Sequence, residues 1–173
     1  MSCVIRPAVL ADAPDIARVK VLSWQEGYRG VLDPDYLSNM DIEAFSKATR
    51  RWMADPENKG EDWVCVVEEQ VVGWAHVRFP GRGEAPESGQ AELVALYVLP
   101  SVWGQGFGYA LNAQVSAALK ARGASSMSLW VLEKNVRAIG FYRRQGFSLT
   151  DARKPLRLLA GTDLWEVQYI APL

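Results

Sequence analysis

The chain has 173 residues and a mass of 19.2 kDa, with 19 Lys and Arg against 20 Asp and Glu. That length suits one domain over residues 1–173, and the even charge balance leaves no positive excess to neutralise a run of nucleic-acid phosphates. Hydrophobic residues at 49% and charged residues at 23% exclude a disordered chain, and the longest apolar run, Leu93 to Leu99, is far short of the roughly 20 residues of a membrane span.

Cys3 to Arg6 reads as a short strand stopped by Pro7. Asp12 can cap a helix with Pro14 in its first turn, and Ala17, Val21, Trp24 and Tyr28 follow on one face until Gly30. Pro34 to Met40 forms a helical turn and Ile42 to Met53 a second helix, broken by Asp55, Pro56, Asn58 and Gly60. Trp63 to Glu68 and Val71 to Phe79 are β-branched and aromatic runs joined by Glu69 and Gln70, the pattern of a hairpin. Pro80 to Gln90 is then an exposed loop. Glu92 to Leu99 is apolar on both alternating faces, which marks a central strand buried on both sides.

Phe107, Ala110, Leu111, Val115, Ala118 and Leu119 give an amphipathic helix ending near Gly123. Met127 to Leu132 is a strand, Asn135 to Gln145 a helix, and Phe147 to Thr150 with Leu164 to Ile170 the last two strands. The chain is therefore α/β, with a strand-helix-strand-helix core preceded by a hairpin. Cys3 and Cys65 sit in apolar stretches without metal-ligand spacing, and Arg6, Asp12 and Asp15 leave no room for the apolar core of a signal peptide. The expectation is a reduced, cytoplasmic protein without a metal.

Between the central strand and the next helix stands Trp103-Gly104-Gln105-Gly106-Phe107-Gly108. The unpaired N–H groups of a first helical turn attract anions, and glycines there admit positive φ and let a phosphate approach the backbone. A tight structural turn explains three glycines equally well. The dinucleotide fingerprint fails, because positions 109 and 111 are Tyr109 and Leu111 and the strand Met127 to Leu132 has no acid for a ribose.

With Leu96-Tyr97-Val98-Leu99-Pro100 ahead of it, this turn resembles the pyrophosphate loop of the GNAT superfamily of acyl-CoA-dependent N-acetyltransferases, written [RQ]-x-x-G-x-[GA]. Trp103 stands where that family has Arg or Gln. The stretch 130–147 is similar to the family's second motif, with Asn135, Ala138 and Tyr142 three and four residues apart on one helical face. A helix whose Asn is only a cap and whose Tyr is core is the rival reading.

The resemblance implies a mixed, mostly antiparallel sheet of about six or seven strands flanked by helices, with a central parallel pair splayed to admit coenzyme A. It implies acetyl-CoA bound by Leu96, Tyr97, Val98, Trp103, Gly104, Gln105, Gly106, Phe107, Gly108, Asn135, Ala138 and Tyr142, an oxyanion donor among the amides near Tyr97 or Val98, and a homodimer. Expected is direct acetyl transfer in a ternary complex to a primary amine of a small molecule or a peptide, with a small amine, an amino acid, an antibiotic and a protein lysine all open; a non-catalytic acyl-CoA-binding or interaction module of the same fold is the alternative.

Transfer to an amine needs a neutral nucleophile, and at pH 7 an alkylamine is neutral only about once in 2,500, a cost of roughly 4.6 kcal/mol. By resemblance Glu92 is the general base. A carboxylate is some six pKa units too weak for direct transfer, so Glu92 needs a raised pKa, a water chain, or a purely orienting role. Tyr142, with an ordinary phenol pKa near 10, is the general acid for the departing thiolate. Ser23 to Gly30 resembles the family's acceptor segment, where Trp24 and Tyr28 wall a pocket and Glu26 meets a cationic substrate; core packing of the two aromatics is an equal reading. His76, the sole histidine, has no nucleophile at motif spacing and reads as structural. Arg137, Arg143 and Arg144 suit an adenosine 3′-phosphate or a solvated face.

Overall fold

The computed structural model describes residues 2–83, 88–156 and 163–173. Residues 84–87 of the expected loop between the third and fourth strands lie outside that description. Seven strands form one mixed sheet in the order β1-β2-β3-β4-β5-β7-β6. They are β1 (Val4–Pro7), β2 (Gly60–Val67), β3 (Gln70–Arg78), β4 (Gln90–Val98), β5 (Ser126–Leu132), β6 (Ser148–Pro155) and β7 (Trp165–Pro172). Among the described residues five α-helices accompany them: α1 (Ala13–Gly27), α2 (Pro34–Ser38), α3 (Ile42–Ala54), α4 (Phe107–Ala121) and α5 (Val136–Arg144). No helix among the described residues is long and apolar enough to cross a membrane.

β4 is the middle strand, as its two-sided apolar pattern requires. Every neighbouring pair is antiparallel except β4 and β5, which run parallel and are joined through α4. α1, with α3 against it, covers one face of β3 and β4, and α4 covers the other. The two faces are told apart at consecutive residues: Trp24 of α1 lies 6.4 Å from the ring of Tyr97, whereas Gly108 of α4 leaves room beside Val98 for close packing. Val64, Ala75, Val77, Leu93, Leu111, Val115, Leu119, Met127 and Leu129 are among the buried side chains of the core.

Local chemistry explains the element ends. Asp41 caps α3 by accepting from the N–H groups of Glu43 and Ala44, and the hairpin turn between β2 and β3 places Glu68 and Glu69 at positive φ. Three expectations are adjusted. α1 ends at Gly27 rather than Gly30. β6 runs on to Pro155, because pairing with β7 resumes at Arg153 after an irregular stretch. Asp12 does not cap α1: its carboxylate accepts from Arg6 Nη1 at 2.7 Å, Arg6 Nη2 at 2.9 Å and the backbone N–H of Val9 at 2.8 Å.

Those hydrogen bonds, the bidentate one from Arg6 above all, hold the Asp12 pKa below the usual carboxylate range despite its burial. A depressed folded pKa contributes stability that is present above the unfolded value of about 3.9 and lost as pH falls through the folded value. Asp12→Asn is therefore expected to lower the free energy of unfolding at pH 7 by about 1 kcal/mol, modest because Arg6 is partly in solvent. In urea titrations the gap should close below about pH 3; an equal gap at both pH values contradicts the assignment.

Candidate active site

The cleft begins as a fault in the sheet. β4 pairs with β5 only from Gln90 opposite Ser126 to Leu93 opposite Leu129. At the next residue the register with β3 slips, Val77 lying opposite Leu93 and His76 opposite Ala95, so Val94 is an extra bulged residue. Beyond it β4 remains on β3 and leaves β5. Leu99 N–H donates to Val72 C=O, which fixes the alternation: Tyr97 hydrogen-bonds toward β3, while the N–H groups of Leu96 and Val98 point into the gap. Of the two strand positions expected to supply an oxyanion donor, Val98 has this orientation and Tyr97 does not. Val98 C=O is held by Ser23 Oγ at 3.0 Å and Trp103 Nε1 at 2.6 Å.

A cavity of about 880 Å³ runs through the gap, and Leu96, Tyr97 and Val98 are among its walls. At one end lies the glycine turn. Gly104 and Gly106 have φ of 81° and 88°, which disfavours any other residue, and a Cβ on either would meet no protein atom within 4 Å. Space for an anion therefore exists in front of the turn. Gly106 caps α4 and its C=O accepts from Ala110 N–H, so the N–H groups from Gly106 to Tyr109 have no partner within the helix. Gly104, Gly106, Phe107 and Gly108 line the cavity; Gln105 is exposed and does not. Trp103 acts as a strut, donating to Val98 and lying under the Arg137 guanidinium, 3.2 Å from ring centre to Cζ.

α5 forms the adjoining wall. Asn135 caps it, its Oδ1 accepting from Ala138 N–H at 3.1 Å, and Asn135, Ala138 and Tyr142 all line the cavity. So do Arg137 and Arg144, whereas Arg143 lies near the ring of Tyr169. The Tyr142 phenol is flanked by Phe141 and Phe147, and burial, with Tyr97 adding, raises its pKa above the ordinary value assumed from sequence. It is thus a protonated phenol at the throat of the cleft.

The other end is aromatic. Trp24 and Tyr28 meet edge to face at 4.9 Å, and Trp52, Trp74, Tyr97 and Trp130 also line the space. Burial raises the Tyr28 phenol well above its usual pKa, and the nearby Tyr97 and Tyr142 add to the effect. Glu26 does not join them: it is exposed and pairs with Arg29 at 2.6 Å.

Glu92 is a second correction. It is 5% exposed, and its carboxylate accepts from Arg82 Nη2 at 2.7 Å, Nε at 3.0 Å and the backbone N–H at 3.2 Å. Burial pushes its pKa up, but Arg82 outweighs burial and holds it below the usual range, contrary to the raised value considered from sequence. It lines a smaller neighbouring cavity with Arg82, Lys154 and Gln168, which shares Trp130 with the main one.

The carboxylate on the main cavity's wall is Glu166, which sequence reasoning missed. Leu132 pairs with Glu166 and Trp130 with Gln168, so Glu166 shares the face of Trp130. It lies 3.7 Å from Lys154 Nζ, and its charge raises the pKa values of Tyr28 and Tyr97. Polar residues alternating along Trp165 to Ile170 were the available signal. His76 is fully buried, bonded through Nδ1 to Asp62 at 3.1 Å and packed under Trp52 outside the cavity lining, in line with a structural role.

Residues 21–147 match the model of the acetyltransferase (GNAT) family. YuaI, an uncharacterized N-acetyltransferase of Bacillus subtilis, is 34% identical over 166 residues, spanning 94% of this chain and 89% of that protein. A mycothiol acetyltransferase of Stackebrandtia nassauensis is also 34% identical, over 81% of this chain and 55% of that protein. Among solved structures, the PaiA N-acetyltransferase of Thermoplasma acidophilum in complex with coenzyme A superposes with a TM-score of 0.75 at 18% identity, covering 100% of both chains. The ribosomal-protein-alanine N-acetyltransferase of Brucella melitensis gives 0.72 at 22%, covering 98% of this chain and 99% of that one; these two share the fold. With N-acetyltransferase relatives extending along nearly the whole chain, the catalytic reading prevails over a bare acyl-CoA-binding module: the chain belongs to the acetyltransferase (GNAT) family and is an acetyl-CoA-dependent N-acetyltransferase.

Proposed function

We propose that the protein moves an acetyl group directly from acetyl-CoA to a primary amine while both are bound. The observation that carries this is the continuous cavity: an amide-rich turn at one end, a buried phenol at the throat and an aromatic, acid-bearing chamber at the other. Neither cysteine lines it, and burial beside Cys3 pushes the Cys65 thiol up to about 12, which disfavours a thiolate nucleophile.

The amides from Gly106 to Tyr109 receive the diphosphate, and Leu96 to Val98 with Asn135 and Ala138 flank the pantetheine arm. Acetyl-CoA supplies the activated carbonyl, which the amine attacks as the carbon–sulfur bond breaks. The Leu96 and Val98 N–H groups, freed from strand pairing, stabilise charge developing on the carbonyl oxygen. Tyr142 gives its proton to the departing sulfur. Its raised pKa is not an obstacle, because the thiolate leaves in the same desolvated space and its pKa rises for the same reason.

Glu166 draws the ammonium form of the acceptor into the chamber and orients it, with its proton leaving by way of water. Glu92 takes the orienting role from behind: it anchors Arg82, which in turn feels the charge of Glu166. Trp24 and Tyr28 are the acceptor walls.

Thiol release from acetyl-CoA, measured with a panel of amines, tests these roles. Tyr142→Phe is expected to lower kcat by about 100-fold or more, and because the phenol stays protonated, wild-type kcat should show no alkaline fall from this group below about pH 10. Wild-type turnover in Tyr142→Phe removes the general acid. Glu166→Gln should lower kcat/KM for the amine about tenfold, mostly through KM; an unchanged value moves amine binding elsewhere.

A further inference from the structure

The acceptor chamber carries one charge that the transfer reaction does not use. α1 presents Lys20, Ser23, Trp24, Gly27 and Tyr28 to the cavity as a single stripe. Ser23 is occupied by Val98, and Tyr28 stands beside the phenols near the reaction centre. Lys20 lies at the opposite end of the stripe, eight residues or about 12 Å along the helix from Tyr28. Its Nζ is 4.6 Å from the ring centre of Phe45 and 5.7 Å from that of Trp24.

No carboxylate among the described residues forms an ion pair with Lys20, and burial lowers its pKa. A part-buried ammonium whose contacts are the faces of two aromatic rings still has N–H donors to offer an anion in the cavity it lines. The other charged walls are placed elsewhere, Arg137 and Arg144 on α5 beside the glycine turn and Glu166 on β7.

We propose that Lys20 binds an anionic group of the acceptor, so that the preferred substrate is a primary amine carrying a carboxylate or phosphonate several bonds from the reacting nitrogen. This rests on the transfer reading above and adds its substrate class. The aromatic walls of Trp24, Trp74 and Tyr97 cover the carbon chain between the two ends, Glu166 takes the nitrogen end, and Lys20 selects against plain alkylamines and diamines.

The test compares 5-aminovalerate, 4-aminobutylphosphonate and pentylamine in the thiol-release assay, with wild type, Lys20→Met and Lys20→Arg. Wild type is expected to prefer the anionic amines by about tenfold or more in kcat/KM, chiefly through KM. Lys20→Met should bring that ratio close to one, and Lys20→Arg should keep much of it. The preferred head group distinguishes carboxylate from phosphonate. Equal use of all three amines by wild type, or an unchanged preference in Lys20→Met, overturns the anion site while leaving acetyl transfer intact. No thiol release with any amine sinks the transfer reading itself. Glutarate then supplies a readout independent of turnover: it should quench tryptophan fluorescence in wild type and not in Lys20→Met, and absence of quenching in wild type also overturns the proposal.

Discussion

Everything functional in this chain depends on β4 parting from β5 after Leu93. A central strand normally satisfies its N–H and C=O groups on both sides. Here the bulge at Val94 turns β4 while β3 keeps hold of it, so one edge of a buried strand is left open. The gap runs through the sheet, and the Leu96 and Val98 amides point into it. Ser23 and Trp103 take up the Val98 carbonyl from either flank, which stabilises the opened strand.

The distribution of charge follows from that opening. Groups that must remain neutral, the phenols of Tyr28, Tyr97 and Tyr142, are gathered where burial raises their pKa values. Groups that must remain charged are placed at the margins. Glu92 is kept ionised by Arg82, and Glu166 keeps a distant partner in Lys154. A closely paired carboxylate is a poor acceptor of an amine's proton, whereas a loosely paired one is available to orient an ammonium. The two acids thus differ in how closely each is paired.

Much of this was legible in the residues. The two-sided apolar pattern of Glu92 to Leu99 placed the central strand, and the glycine turn with Asn135, Ala138 and Tyr142 picked out residues that line one cavity. The one-turn spacing of Trp24 and Tyr28 found two aromatic walls of that cavity. What escaped depended on register or on contacts across loops. Nothing in Leu93-Val94-Ala95 announces a bulge, since any of the three can be the extra residue. Arg82 reaches Glu92 from a loop, so the pairing that lowers its pKa has no sequence spacing to betray it. Glu26 lies on the same helix as Trp24 but turns outward, toward Arg29. Lys20 stands one turn before Trp24 on the same face, a position where a lysine passes for a solvated residue until the helix is seen to line a cavity.

The most direct measurement is a crystal structure with coenzyme A bound. Diphosphate oxygens are expected within hydrogen-bond distance of N–H groups between Gly106 and Tyr109, with the pantetheine arm in the gap between β4 and β5 and the sulfur within reach of the Tyr142 hydroxyl. A coenzyme lying outside that gap, or a sulfur too far from Tyr142 to take its proton, would contradict this placement.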